Sequence, residues 1–576
     1  MDVVDLSDFV QLFGRPKRRG MTSPTATLES ETKPRDVSSS SSSITLPLPA
    51  CAPTASNDLE KMATNKSAEL GSTQPMGQAV TALDWTGPDD PDNPENWPAG
   101  KKAFHIAYIG LQCFVVYAKH HVLSPPLTSH RTFGSSVYTP AIASIVETFD
   151  VSPTAATLPL TVYVLGLALG PAISAPISET HGRRIVYLTL FPIALLFTLG
   201  AGLAKSFATL MVCRFLAGTI GSGGLAVGAG TNSDLFPPLT RAPVASVFLL
   251  APFAGPALGP VAGSYLVQFK SWRWTQYITL MIGLVAVILG FFQKETYKKI
   301  ILAQRAKRLN LPPPPNPMAS MTAAQKAKFV LTVTIARPVI MLLTEPIVAF
   351  LAIYTAFNFG VLFCFFGAFP IVFESRYPEV QAYHFTQGES GLVFLGIGVG
   401  ILLAAIIFII SDKTYYQPRA RKEIESNGKD PRSLLLAPEN RVLPAVIGSV
   451  LLPIGLFWFA WTAKSSVHWI VPVLASIFFG AGNLLVFFTA VMYQLDSYGP
   501  MMGASAMAAN GILRYVFGAV FPLFSRQMYL AMGVGWATSL LGFVTVALMP
   551  VPWILFKYGA KIRSKSKYAM FSREYD

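Results

Sequence analysis

The chain has 576 residues, of which 52% are hydrophobic and only 13% charged, with a formal net charge of +14. Soluble domains carry about 25% charged residues, so the composition excludes a water-exposed globule. The basic excess sits in clusters between apolar runs, which argues against a nucleic-acid partner and for the positive-inside pattern of a membrane protein.

In chain order, residues 1–83 are polar, with a serine run at Ser38 to Ser43, and their composition predicts a disordered cytoplasmic tail. Residues 84–103 form an acidic, proline-rich pre-membrane segment, in which Trp97 followed by Lys101 and Lys102 suits a headgroup-level anchor. The first apolar run begins near Phe104, so insertion is expected through uncleaved signal anchors.

Apolar runs of roughly 20 residues, long enough to span a bilayer, then follow in two sets of six. The first set occupies 104–293: 104–118 with 132–149, then 155–178, 185–204, 207–230, 243–267 and 274–293. A central cytoplasmic loop at 294–344 holds a tether at Pro312–Pro317 and a surface helix at Met321 to Ile335. The second set occupies 345–556: 345–373, 386–411, 442–463, 467–493, 503–525 and 535–556, followed by a basic cytoplasmic tail at 557–576.

Basic clusters in the central loop, in 412–441 and after the last run place both chain ends in the cytoplasm, in agreement with an even number of crossings. Backbone groups in hydrocarbon must be satisfied internally, so the fold class is all-α integral membrane, with 12 helices in two six-helix bundles. Such twin halves suit a carrier with alternating access.

The first span is interrupted. Phe104–Ala118 is too short to cross, and Lys119, His120, His121, Pro125, Pro126, His130 and Arg131 follow. Two readings stand: a metal-binding histidine cluster, or an insertion at 119–131 from translated intron sequence. Excision would fuse Cys113 through Tyr117 to Gly134 and its successors as one helix. Cys51, Cys113, Cys213 and Cys364 have neither metal-ligand nor disulfide spacing.

Three stretches carry the chemistry. Between the second and third spans, Glu179 stands before Gly182, Arg183 and Arg184, so an acid at one helix end and two arginines at the next can form a charge latch that breaks when the halves rock. The same arginines could serve only as a positive-inside anchor. In the fourth span, Arg214 precedes several glycines; a guanidinium in an apolar run needs a partner or water, or must snorkel to the interface. In the fifth span, Gly255, Pro256, Gly259, Pro260 and Gly263 combine close-packing glycines with helix-bending prolines.

On these three stretches the chain resembles the major facilitator superfamily, and within it the fungal twelve-span drug:proton antiporters. Asp84-Trp85, Thr344-Glu345-Pro346, Ala368-Phe369-Pro370 and Tyr558-Gly559-Ala560-Lys561 extend the resemblance over about 84–570. The chain departs from the family pattern at Ala175, Glu179, Thr180 and Ser264. The resemblance implies the major facilitator fold and export of small lipophilic molecules, such as drugs, toxins or secondary metabolites, driven by proton entry. No cofactor beyond the proton gradient is implied, and a monomer in the plasma membrane is expected.

A proton carrier must be titratable and responsive to its neighbours. Arg214, Glu345, Glu374 and Asp496 are the proton-coupling candidates. The substrate cavity is expected near the midplane, with Asn232, Tyr354, Asn358, Asn483, Tyr493, Asn510, Arg514 and Tyr515 as candidate lining. Two buried arginines without a midplane carboxylate favour neutral or anionic cargo. The rivals are a polyamine or nutrient-like solute and, more remotely, a polytopic membrane enzyme, for which no catalytic cluster is seen. No phosphate-binding Gly-x-x-x-x-Gly-Lys-Ser/Thr loop is present.

Overall fold

The computed structural model describes residues 84–87, 89–113, 130–312, 322, 325, 328, 332–374, 382–427 and 436–569. The expected tail at 1–83, most of the insertion at 119–131, and most of the tether and surface helix of the central loop lie outside the described residues. The end of that expected surface helix, Thr332–Ala336, is a π-helical turn that runs into Arg337–Thr344.

The described chain is all-helical apart from one isolated bridge between Glu374 and Phe385. Among the described residues, eight helices are by themselves long and apolar enough to cross a membrane. One of them, Met502–Arg563, turns back at Gly533 and so supplies two spans. Three crossings built from shorter pieces complete twelve: the first span, Phe207–Gly221 with Gly223–Leu235, and Trp274–Gly290.

The first span is described in two pieces, Ala99–Cys113 and His130–Ser136, followed by Thr139–Ala141 and Ile142–Phe149. Leu111 from one piece and Phe133 from the other pack in the same cluster with Phe191, Leu195, Ile282 and Ala286. The two pieces therefore share one set of helical neighbours.

Local chemistry sets the helix boundaries. Ser152 caps Pro153–His181 by accepting from the Ala155 N–H at 3.1 Å, and Ser206 caps Phe207–Gly221. Thr386 and Glu389 form a reciprocal capping box that opens the eighth span. The helical run Ile470–Leu548 is cut into three at Gly499 (φ 63°) and Gly533 (φ 72°), both in the left-handed region that favours glycine.

Several expected boundaries shift. The fourth span breaks at Ser222 and continues to Leu235. The eighth continues as helix through Asp412–Tyr416 to Asn427, so much of the expected 412–441 loop is helical. Asp496, expected after the tenth span, lies inside Ile470–Gly499. Trp97 is 9% exposed, packed 5.0 Å from His105 and covered by the Lys101 ammonium at 3.2 Å.

Pro346–Phe373 carries the densest aromatic core, with Phe363, Phe365, Phe369 and Phe373 fully buried. Leu196, Trp536 and Phe543 by contrast face outward on the third and twelfth spans. An apolar outer surface of that kind suits lipid and would be a liability in water.

Candidate functional site

One end of the bundle carries the Gly182 turn, the central loop and the last helix; it is called here the loop end. Gly182 turns at φ 99°, and the Glu295 carboxylate lies against it. That carboxylate accepts from the backbone N–H groups of Arg183 (2.9 Å) and Arg184 (3.1 Å), the first residues of Arg183–Gly202. An anion at a helix start satisfies free N–H donors and complements the helix dipole.

The Arg183 side chain donates to Asp234 at 3.2 Å and to Ser178 at 2.8 Å, and stacks on Tyr297. Glu179 is exposed, so the expected Glu179–arginine latch is corrected: the acids are Asp234 and Glu295, contributed by the fourth span and by the chain after the sixth. Sequence reading passed over both because helix-end acids are common. Their shared side of the membrane was the available signal.

The second half has its own charge cluster at the same end. Arg441 is 5% exposed and donates to Asp412 at 3.0 Å and to Asp496 at 2.6 Å, with its guanidinium 3.5 Å from the Tyr416 ring centroid. Beside it, Arg563 forks onto Glu439 at 2.9 and 2.8 Å, and the Tyr493 hydroxyl donates to Glu439 at 3.1 Å. Tyr493 thus joins this cluster, not the expected cavity. Arg441, Asp412 and Glu439 were not singled out from sequence, and Arg563 only as part of the basic tail.

Glu345 accepts from Tyr498 (3.0 Å), from Ser566 (2.6 Å) and from the Lys567 N–H (3.3 Å). A cavity of about 360 Å³ opens beside it, lined in part by Lys561, Lys565 and Tyr558. Glu374 is buried at the opposite end of the seventh span.

Between the ends stand the two buried arginines. Arg214 is 2% exposed; its Nη1 donates to the Gly134 carbonyl (2.7 Å) and to Gln276 (3.3 Å), and its guanidinium lies 4.7 and 4.5 Å from the rings of Tyr138 and Tyr163. All these partners belong to the first half, so Arg214 does not snorkel to the interface. Arg514, 7% exposed, has its guanidinium among Phe359, Phe487 and Tyr515. Asn232, Tyr354, Asn358, Asn483 and Asn510 are also buried. All but Asn483 hold a buried side-chain polar atom without a partner.

The fifth span supplies close contact. Gly255 O accepts from Ser136 Oγ at 2.8 Å, and a methyl group at Gly259 or Gly263 would run into Ser136 or the Val137 carbonyl. Pro256 and Pro260 lie in the same helix, and Ser264 abuts Gly391 of the eighth span. Hydrogen bonds crossing between the halves gather away from the loop end. Gln268 accepts from the Gly388 N–H (2.7 Å), Gln387 donates to the Pro140 carbonyl (2.9 Å), Gln527 to Thr154 (2.8 Å) and Thr161 to the Ala519 carbonyl (2.9 Å). Uncharged groups make this seal.

Comparison with known proteins agrees with that architecture. The description "Major Facilitator Superfamily" matches residues 131–522. The chain is 39% identical over 513 residues to "Polyamine transporter 4" of Saccharomyces cerevisiae, covering 85% of this chain and 74% of that one. It is likewise 39% identical over 495 residues to "Efflux pump FUB11" of Gibberella moniliformis, covering 84% and 77%. Among solved structures, the proton:xylose symporter XylE aligns with a TM-score of 0.53 at 16% identity, covering 79% of this chain and 95% of that one; this is likeness of fold alone.

Proposed function

The chain belongs to the major facilitator superfamily, a family of transporters and not of enzymes, and from that premise we propose that it is a proton-coupled exporter of small lipophilic neutral or anionic compounds. In this reading it works as a single chain in the plasma membrane, with the loop end and both termini in the cytoplasm. The observation that carries the cargo class is the placement of charge. The described spans hold carboxylates only toward their ends, whereas Arg214 and Arg514 are buried between the ends. A cationic cargo would meet like charge there.

The seal opposite the loop end corresponds to a carrier closed toward the outside and ready to load from the cytoplasm. For coupling, the Asp412–Arg441–Asp496 cluster offers one guanidinium to two carboxylates, leaving one net negative charge that a single proton neutralises. Glu345 and Glu374 are the other candidates, with Arg214 as a brace on the first half.

The second reading, polyamine transport, is favoured by the name of the yeast relative. Flux into inside-out vesicles, measured across neutral, anionic and cationic compounds with the pH gradient imposed and then collapsed, tests both readings. Gradient-dependent movement of neutral or anionic compounds supports the proposal. Preferential movement of spermidine supports the rival, and flux indifferent to the gradient removes proton coupling.

A further inference from the structure

Arg514 is a buried cation without a counter-ion. Its Nε is fully buried and unpaired, and no ion pair or hydrogen bond engages the side chain among the described residues. Its guanidinium carbon lies 5.3, 4.6 and 4.9 Å from the ring centroids of Phe359, Phe487 and Tyr515. Ring faces attract a cation, but they do not use the fork of N–H donors along the guanidinium edge. That edge matches a carboxylate in two parallel hydrogen bonds.

The cage lies where the halves meet. Phe359, Phe487 and Tyr515 come from the seventh, tenth and eleventh spans, and Phe253 of the fifth packs 4.8 Å from Phe487 and 6.4 Å from Phe359. Asn510, one turn before Arg514 on the same helix face, has an unpaired buried Nδ2 that can donate to the same anion. Arg214 also keeps a buried, unpaired Nε and Nη2, but carbonyl and amide oxygens accept from its Nη1, and its partners lie within one half.

We infer that Arg514 is the anchor for the acid group of an aromatic carboxylate cargo, whose ring enters by parting the packed rings of Phe253, Phe359 and Phe487. This deepens the export reading and rests on it. A planar aromatic anion replaces ring-to-guanidinium contact at one edge with a charge-assisted fork, and its own ring stacks against side chains from both halves. Such a cargo touches each half at once, which a carrier that closes around its substrate requires.

The test is equilibrium binding to the full-length purified protein in lipid nanodiscs, with 2-naphthoate and its uncharged analogue 2-naphthamide as probes and spermidine as competitor. The wild type is expected to bind the acid about tenfold or more tighter than the amide, the scale of a hydrogen-bonded charge. Arg514→Gln should erase that preference, weakening the acid far more than the amide. Arg514→Lys, which keeps the charge without the fork, should retain a reduced preference and decides the matter if the glutamine variant does not fold.

Equal affinities in the wild type, parallel weakening of both probes in a monodisperse variant, or displacement of 2-naphthoate by spermidine would overturn the inference. Gradient-dependent flux of other neutral compounds, measured alongside, reports on the export reading by itself. Its persistence together with any of those results would remove the carboxylate anchor and leave the exporter.

Discussion

The pre-membrane segment makes a contact whose loss can be worked out from geometry. Arg305, on the helix Lys298–Arg308 that follows the sixth span, donates to Asp90 at 2.9 and 2.7 Å and to Asp92 at 3.0 and 2.8 Å. Asp90 is buried and also accepts from the Thr86 N–H and hydroxyl, each at 2.9 Å. Lys298 pairs with Asp84 next to Trp85. The segment is thus a strap that ties the central-loop helix to the start of the first span.

Arg305→Ala strands the buried Asp90 carboxylate, which costs about 3 kcal/mol, or roughly a hundredfold in the docking equilibrium. Asp92 is 40% exposed, so Asp92→Ala should cost no more than about 1 kcal/mol. Hydrogen exchange of the segment reads this directly, because the N–H groups of Asn93, Asn96 and Trp97 are held by turns inside it. Exchange should rise by up to about two orders of magnitude in Arg305→Ala and fall back in the charge-swapped pair Asp90→Arg with Arg305→Asp. Unchanged exchange in the single variant would refute the strap.

The sign with pH follows from Asp90, which the hydrogen bond from Arg305 holds well below the usual carboxylate range. A depressed carboxylate contributes fully above its unfolded value, near about 4, and loses that contribution as pH falls through the lower folded value. Docking should therefore be flat from about pH 5 to 8 and weaken only below about pH 4.

Further expectations concern the spans. Arg441→Ala leaves Asp412 and Asp496 buried and facing each other, and should lower stability by about 3–5 kcal/mol in a thermal melt; adding Asp412→Asn should recover part of that. Gly263→Val would press a side chain into the Val137 carbonyl, with an expected loss of about 1–3 kcal/mol in the same melt and slower flux. Gln268→Ala removes the acceptor of the Gly388 N–H. It should shift the carrier toward its outward-open form by about 1 kcal/mol, read as faster labelling of a Ser264→Cys reporter by an impermeant maleimide. Labelling that stays at the wild-type rate would mean that this bond does not hold the seal.

The hydropathy pattern made the twelve spans legible, because length and apolarity suffice to name a crossing. The spacing of Gly255, Gly259 and Gly263 likewise foretold a close helix contact, and the structure supplies its partner in Ser136 and Val137. The partners of charged groups were not legible. Arg183 sits four residues after Glu179, yet its side chain reaches Ser178 on the preceding helix and Asp234 on another span and leaves Glu179 exposed. Periodicity along one helix says which face is polar, but not which distant helix supplies the counter-charge. Trp97 by contrast packs on Lys101 and His105 of the helix that it leads directly into.

The distribution of those partners changes what the charges can do. Arg183, Asp234 and Glu295 all belong to the first half, Arg441, Asp412 and Asp496 all to the second, and the strap joins Asp90 to a helix just after the first. None of these pairs joins the two halves, so none needs to break when the halves rock. The ion pairs stiffen each half. The bonds that must open are the neutral ones near Gln268, Gln387 and Gln527, each worth about 0.5–1.5 kcal/mol. Two states separated by a few such bonds differ by only a few kcal/mol, which the binding of one cargo or one proton can reverse.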